Sequence, residues 1–105
     1  MAALSVPALR ALMVAISRSE PDPLTVRQVA ALLAVHELGG EASFQTLVDT
    51  LGATPASTSR SIDALEARGL AGRVSSGRFG ATIVEITPKG RDYVGGLVDR
   101  LEAAA

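Results

Sequence analysis

The 105-residue chain predicts a mainly α-helical domain with one small β-hairpin, an α+β class. Three observations predict it. Apolar residues make up 48% and aromatic residues only 3%, with Ala, Leu and Val dominant, a composition that favours helices. The stretch 54–70, TPASTSRSIDALEARGL, has both ends of a helix written into it. After it, residues 73–75 and 82–86 flank a Gly-containing turn and read as two strands, the second rich in β-branched residues. A chain of this length is expected to form one domain, residues 1–105.

Taken in order, residues 5–18 read as a first helix. Ser5 can cap it, Pro7 sits in its first turn, and Leu9, Leu12, Met13 and Ile16 form an apolar stripe. The segment 19–23, SEPDP, is a loop because two prolines flank an acid. The second helix opens on a capping box, Thr25 with Gln28, and a staple between Leu24 and Val29. Val29, Leu32, Leu33 and His36 continue its inner face, and Gly39-Gly40 ends it. His36, the only histidine, reads as a partly buried helix residue rather than a ligand or a proton switch. Ser43 can cap a third helix, 44–51, with Phe44, Leu47, Val48 and Leu51 inward, and Gly52-Ala53 forms a tight turn.

The next helix is the most legible. Thr54 serves as N-cap, and Pro55 fits the first position, where no N–H is needed. Gly69 suits a left-handed C′ position, with Leu70 folding back onto Leu65. Thr58, Ile62, Leu65 and Gly69 mark the buried side, while Ala56, Arg60, Asp63 and Ala67 face outward, flanked by Ser57 and Ala64. That outer face is small, hydroxylated and centred on one Arg. It can approach a surface closely, and Arg and Ser are residue types that meet phosphates and base edges. Beyond the hairpin, Thr87 caps a last helix starting at Pro88, with an apolar stripe of Tyr93, Val94, Leu97, Val98 and Leu101.

Charge is nearly balanced, 10 basic against 11 acidic residues, so no global field announces a polyanion. Cations nevertheless collect between 54 and 91, while both flanks are acidic. This distribution fits nucleic-acid binding and equally fits a solvated charge mosaic. Without cysteine, disulfides and thiolate metal sites are excluded. The apolar run 4–16 is interrupted by Pro7 and Arg10 and is too short to span a bilayer, so a cytoplasmic protein is expected. Arginine far outnumbers lysine and alanine is abundant, which points to a GC-rich bacterial genome.

The run LVDTLGATPASTSRSIDALEARGLAGRV resembles the helix-turn-helix and first wing strand of MarR-type winged-helix transcription regulators, and TPKGR at 87–91 resembles the segment on the C-terminal side of their wing. The resemblance covers roughly residues 24–91. It implies a winged helix-turn-helix with a recognition helix at 55–68, a wing at 73–86, and dimerisation helices at 1–20 and 88–105. It also implies a short strand at Glu41-Ala42 paired with the wing. By the same resemblance the partner is double-stranded DNA with a palindromic operator, bound by a homodimeric repressor. Ser57 and Arg60 would read base edges with Ala56 near a thymine methyl, and Thr54, Ser59, Arg73 and Arg78 would hold phosphates. A small-molecule effector is compatible with the family; no metal or cofactor is implied. Three departures stand out. The wing lacks the Asp that usually orients its arginine, Thr58 and Ser61 stand where larger apolar residues are common, and the last helix is expected to be shorter. The competing function is a protein-interaction module, a scaffold or antirepressor without specific DNA binding. An enzyme is not expected, since one His, no Cys and scattered carboxylates make no nucleophile–base pair or metal cluster.

Overall fold

The computed structural model describes residues 4–75 and 80–104. Their element order is α1 (Val6–Ser17), α2 (Val26–Glu37), β1 (Glu41–Ser43), α3 (Phe44–Leu51), α4 (Pro55–Ala67), β2 (Ala71–Ser75), β3 (Thr82–Ile86) and α5 (Pro88–Ala103). Each of these helices begins on a hydroxyl. Ser5, Thr25, Ser43, Thr54 and Thr87 all sit in extended backbone and accept from an N–H of the first turn. A cap of this kind stabilises a helix by about 1 kcal/mol. At α2 the box is complete: Gln28 N–H donates to Thr25 Oγ1 at 3.1 Å and Thr25 N–H to Gln28 Oε1 at 3.0 Å. The C-termini close equally locally. Gly69 has φ of 71°, and Leu70 N–H reaches back to Leu65 O at 2.9 Å, so the chain reverses straight into β2.

The three strands form an antiparallel sheet in the order β1-β3-β2. Ala42 pairs with Val84, and Arg73 faces the same Val84 from the other side. Strand β2 begins at Ala71, two residues before the sequence signal, because the register extends to Ala71 opposite Ile86. The resemblance-based strand at Glu41-Ala42 is present and includes Ser43.

The core lies between α2, α4 and the sheet, and is built from Leu32, Val35, Leu47, Ile62, Leu65 and Val84, all fully buried. The inner face of α2 is rotated from expectation. Val29, Ala31, Leu32, Ala34 and Val35 are inside, whereas Leu33 lies at the surface and His36 is exposed rather than partly buried. The small Ala31 and Ala34 let neighbours close on both flanks of Leu32 and Val35, so the buried arc is wider than the large side chains alone suggest.

Helices α1 and α5 pack on one another. Ile16, Val94 and Leu97 are covered, and Ser19 Oγ and Tyr93 Oη share a 2.7 Å hydrogen bond. The two terminal stripes are thus partly satisfied within one chain. Leu9, Met13, Val14 and Val98 remain exposed. The start of α5 is pinned by Gly90, where a Cβ would run into the Leu70 carbonyl and Ile86. At the far end of α4, the Arg68 guanidinium donates to the backbone carbonyls of Glu20 and Asp22, while the Arg68 carbonyl accepts from Lys89 Nζ at 2.9 Å. No helix among the described residues is long and apolar enough to cross a membrane.

Candidate nucleic-acid interface

Helix α4 is held by its inner face and presents the outer one. Thr58, Ser61, Ile62 and Leu65 are buried; Ala56, Arg60, Asp63 and Ala67 are exposed, as the 3.6-residue period requires. Ser61 joins the inner face beside the expected residues and is buried.

The expected site residues fall into three groups. Thr54, Ala56, Ser57 and Arg60 cluster at the N-terminal half of α4. Thr54 is exposed, and its hydroxyl oxygen accepts from Ser57 N–H at 3.1 Å, leaving its own hydrogen free to donate. Arg60 is exposed and forms no ion pair among the described residues. Ser59 and Arg73 form the second group, and they are joined to each other. Arg73 Nη2 donates to Ser59 O and Oγ, both at 3.1 Å, and Nη1 lies 2.8 Å from Asp63 Oδ1 and 2.8 Å from Glu66 Oε1. Glu66 also accepts from the Arg73 backbone N–H at 3.0 Å. Both terminal nitrogens of Arg73 are therefore engaged within the protein, so this guanidinium cannot also clamp a phosphate without giving up partners. Instead it fastens β2 to α4. The acids that orient it come from the recognition helix, not from the wing that lacks an Asp. The third group is Arg78 alone, which lies outside the described residues.

The sequence reading missed Arg27. It stands exposed on the first turn of α2, and its Nη1 is 3.4 Å from Ser57 Oγ. Its position at the start of a capped helix carried no signal, since only the packing of α2 across α4 brings it to Ser57. The electrostatic consequence is that two guanidinium groups, Arg27 and Arg60, flank the N-terminal half of α4, where the helix dipole is also positive.

A helix-turn-helix formed by α3 and α4, braced by α2 and followed by a β2–β3 hairpin, defines the winged-helix class. The chain matches the MarR family over residues 22–80 and belongs to that family. Solved structures agree in fold. RV1404 from Mycobacterium tuberculosis superposes with a TM-score of 0.81 at 22% identity, over 91% of this chain and 65% of that one. A MarR-family transcriptional regulator from Rhodococcus sp. RHA1 gives 0.73 at 27% identity, over 92% of this chain and 66% of that one. CouR from Rhodococcus jostii RHA1, bound to p-coumaroyl-CoA, gives 0.70 at 26% identity, over 92% and 65% respectively. This chain thus spans just under two thirds of the length of these three structures. No curated protein matches the sequence significantly. MarR-family regulators are non-enzymatic transcription factors that in general bind DNA.

Proposed function

We propose that the protein is a homodimeric, sequence-specific repressor acting on a palindromic operator. The observation that carries this reading is the presentation of α4. Its N-terminal half is capped, buried on its inner side at Thr58 and Ser61, faced with small residues, and flanked by guanidinium groups that no acid neutralises among the described residues. Such a face can lie deep in a major groove, with Arg60 and Ser57 reading base edges and Ala56 against a thymine methyl. Thr54 and Ser59 have hydroxyl hydrogens to offer phosphates, and Arg27 adds a third contact to the backbone. Arg73 we assign to positioning: it sets the angle between wing and recognition helix. Arg78 would extend the contact from the wing.

Dimerisation through α1 and α5 is supported by the apolar residues these helices leave exposed, Leu9, Met13, Val14 and Val98. A two-fold axis there would set the recognition helices one DNA turn apart, about 34–36 Å. Fluorescence anisotropy with duplexes drawn from the region upstream of the gene tests the reading. Nanomolar binding to one palindrome, at least about a thousandfold tighter than to random duplex, is expected. Equal, weak binding to all duplexes would assign the winged helix to protein contacts instead.

A further inference from the structure

The three-stranded sheet has one covered face and one open face. Ala42, Ala71, Val84 and Ile86 point inward and are buried. Side chains alternate along a strand, so their neighbours point to the other side. There the register sets two rows across the sheet: Glu41, Glu85 and Gly72 in one, and Ser43, Ile83 and Val74 in the next. Glu41, Glu85 and Val74 are exposed, and with Ser43 and Ile83 they line a recess of about 390 Å³. It is this face, not the adjoining strand edge, that is open. On the edge of β2 the Arg73 N–H already donates to Glu66 at 3.0 Å.

Three features decide what the face can take. Glu41 and Glu85 are direct cross-strand partners. Their Cβ atoms are then about 4.5–5.5 Å apart, and like charges so placed destabilise a sheet. Neither forms an ion pair among the described residues, and Arg91, which borders the next recess with both, stays beyond ion-pair distance. Ile83 and Val74, also cross-strand partners, form an apolar step two residues along β3 from Glu85. Two residues of strand correspond to about 6.6 Å. On the other side of Glu85, Gly72 has no side chain and opens onto free space.

From this arrangement we propose that the outer sheet face docks a partner protein through an extended segment carrying arginine, in the pattern Arg-x-Val. The guanidinium lies between Glu41 and Glu85 and donates to both, a task its planar fork suits better than a lysine would. The aliphatic stem of the arginine lies flat over Gly72. The valine, two residues on, alternates to the same side and settles on Ile83 and Val74. Charge complementarity chooses the occupant: a carboxylate pair that weakens the free sheet becomes the attraction in the complex. The face lies across the sheet from the core that holds α4, so docking leaves α4 open and does not rest on the repressor reading.

The probe is the peptide acetyl-Gly-Arg-Thr-Val-Gly-amide, titrated at physiological ionic strength into the whole, isotopically labelled protein and followed by its amide resonances. Saturable shifts are expected at Glu41, Gly72, Val74, Ile83 and Glu85, with a Kd of about 0.1–1 mM. A peptide with Glu for Arg should not bind, and one with Arg and Val adjacent should bind about threefold more weakly, because its valine points away. Glu41→Gln and Glu85→Gln should each weaken the probe about fivefold. Both side chains are exposed, so these variants fold, and each should raise the melting temperature of the free protein by about 1–4 °C. No saturable shift up to about 10 mM, shifts confined to other elements, or an affinity indifferent to both variants would overturn the proposal. So would equal binding of either control peptide. A melting temperature unchanged or lowered in both variants would show that the carboxylates are already partnered within the chain, and would overturn it as well. Shifts at these residues that grow with protein concentration alone and vanish in Glu85→Gln would give the face to a second copy of this chain instead.

Discussion

Replacing Thr58 by valine should make the free protein more stable, although the hydroxyl is lost from the middle of its most important helix. Thr58 is 1% exposed and its Oγ1 is both enclosed and unpartnered. Leaving such a group buried without a partner costs about 1–3 kcal/mol. Valine puts a methyl in the same volume, and its helix propensity is close to that of threonine, so the backbone term nearly cancels. The expected gain is about 1–2 kcal/mol. For a domain of this size that raises Tm by about 5–10 °C. Calorimetric melting at one fixed protein concentration reads it, since the Tm of a dimer shifts with concentration. Urea titration should show a higher midpoint with an unchanged slope. Thr58→Ala is the control. It removes the orphan hydroxyl but also a packed methyl, and should gain less or lose stability. A valine variant no more stable than the parent would refute the reasoning, because the hydroxyl would then be satisfied by water or by a neighbour.

Gly90→Ala should destabilise by about 2–3 kcal/mol, because its Cβ meets a backbone carbonyl that cannot yield; melting temperature checks this. Arg60→Ala should weaken operator binding by about 1–3 kcal/mol and relax base preference at one position per half-site, and unchanged discrimination in a panel of operator variants would exclude it as a reader. Arg73→Gln and Glu66→Gln should show a coupling of about 0.5–1 kcal/mol in a double-mutant cycle of urea melts, the range of a partly exposed ion pair; purely additive losses would mean that the pair holds nothing together. Leu97 is buried within its own chain and would report on folding, so the dimer is better tested with the exposed Met13. Met13→Glu should give a folded monomer by sedimentation with far weaker DNA binding, and an unchanged mass would place the interface elsewhere.

Where local chemistry decides the backbone, the sequence was sufficient. Thr25 with Gln28, Thr54 with Pro55, and Gly69 with Leu70 fix helix ends through bonds spanning a few residues, and all three are found as read. The outer face of α4 was legible for the same reason, since periodicity fixes it once the ends are known. What escaped depends on contacts far apart in sequence. Arg27 meets Ser57 only because α2 crosses α4, and Arg73 finds Asp63 and Glu66 only because β2 turns back along the helix it leaves. His36 was misplaced because the alanines of α2 widen its buried arc on the other side, which a search for large apolar residues overlooks.

The tie made by Arg68 has a mechanical meaning. Helix α4 has 13 residues, so it is about 20 Å long. Its C-terminal end is anchored at once to the loop behind α1, through Glu20 and Asp22, and to α5 through Lys89. Ser57 and Arg60, which we propose face the groove, sit toward the opposite end. The helix is therefore a lever whose fulcrum belongs to the outer helices and whose far end carries Ser57 and Arg60. A tilt of about 10° at the fulcrum would sweep the tip by about 3.5 Å, more than the reach of a hydrogen bond. Distances between spin labels on α1 and near Ala56, taken with and without DNA, would register such a swing. Small changes in how α1 and α5 lie on each other are magnified before they arrive at Ser57 and Arg60.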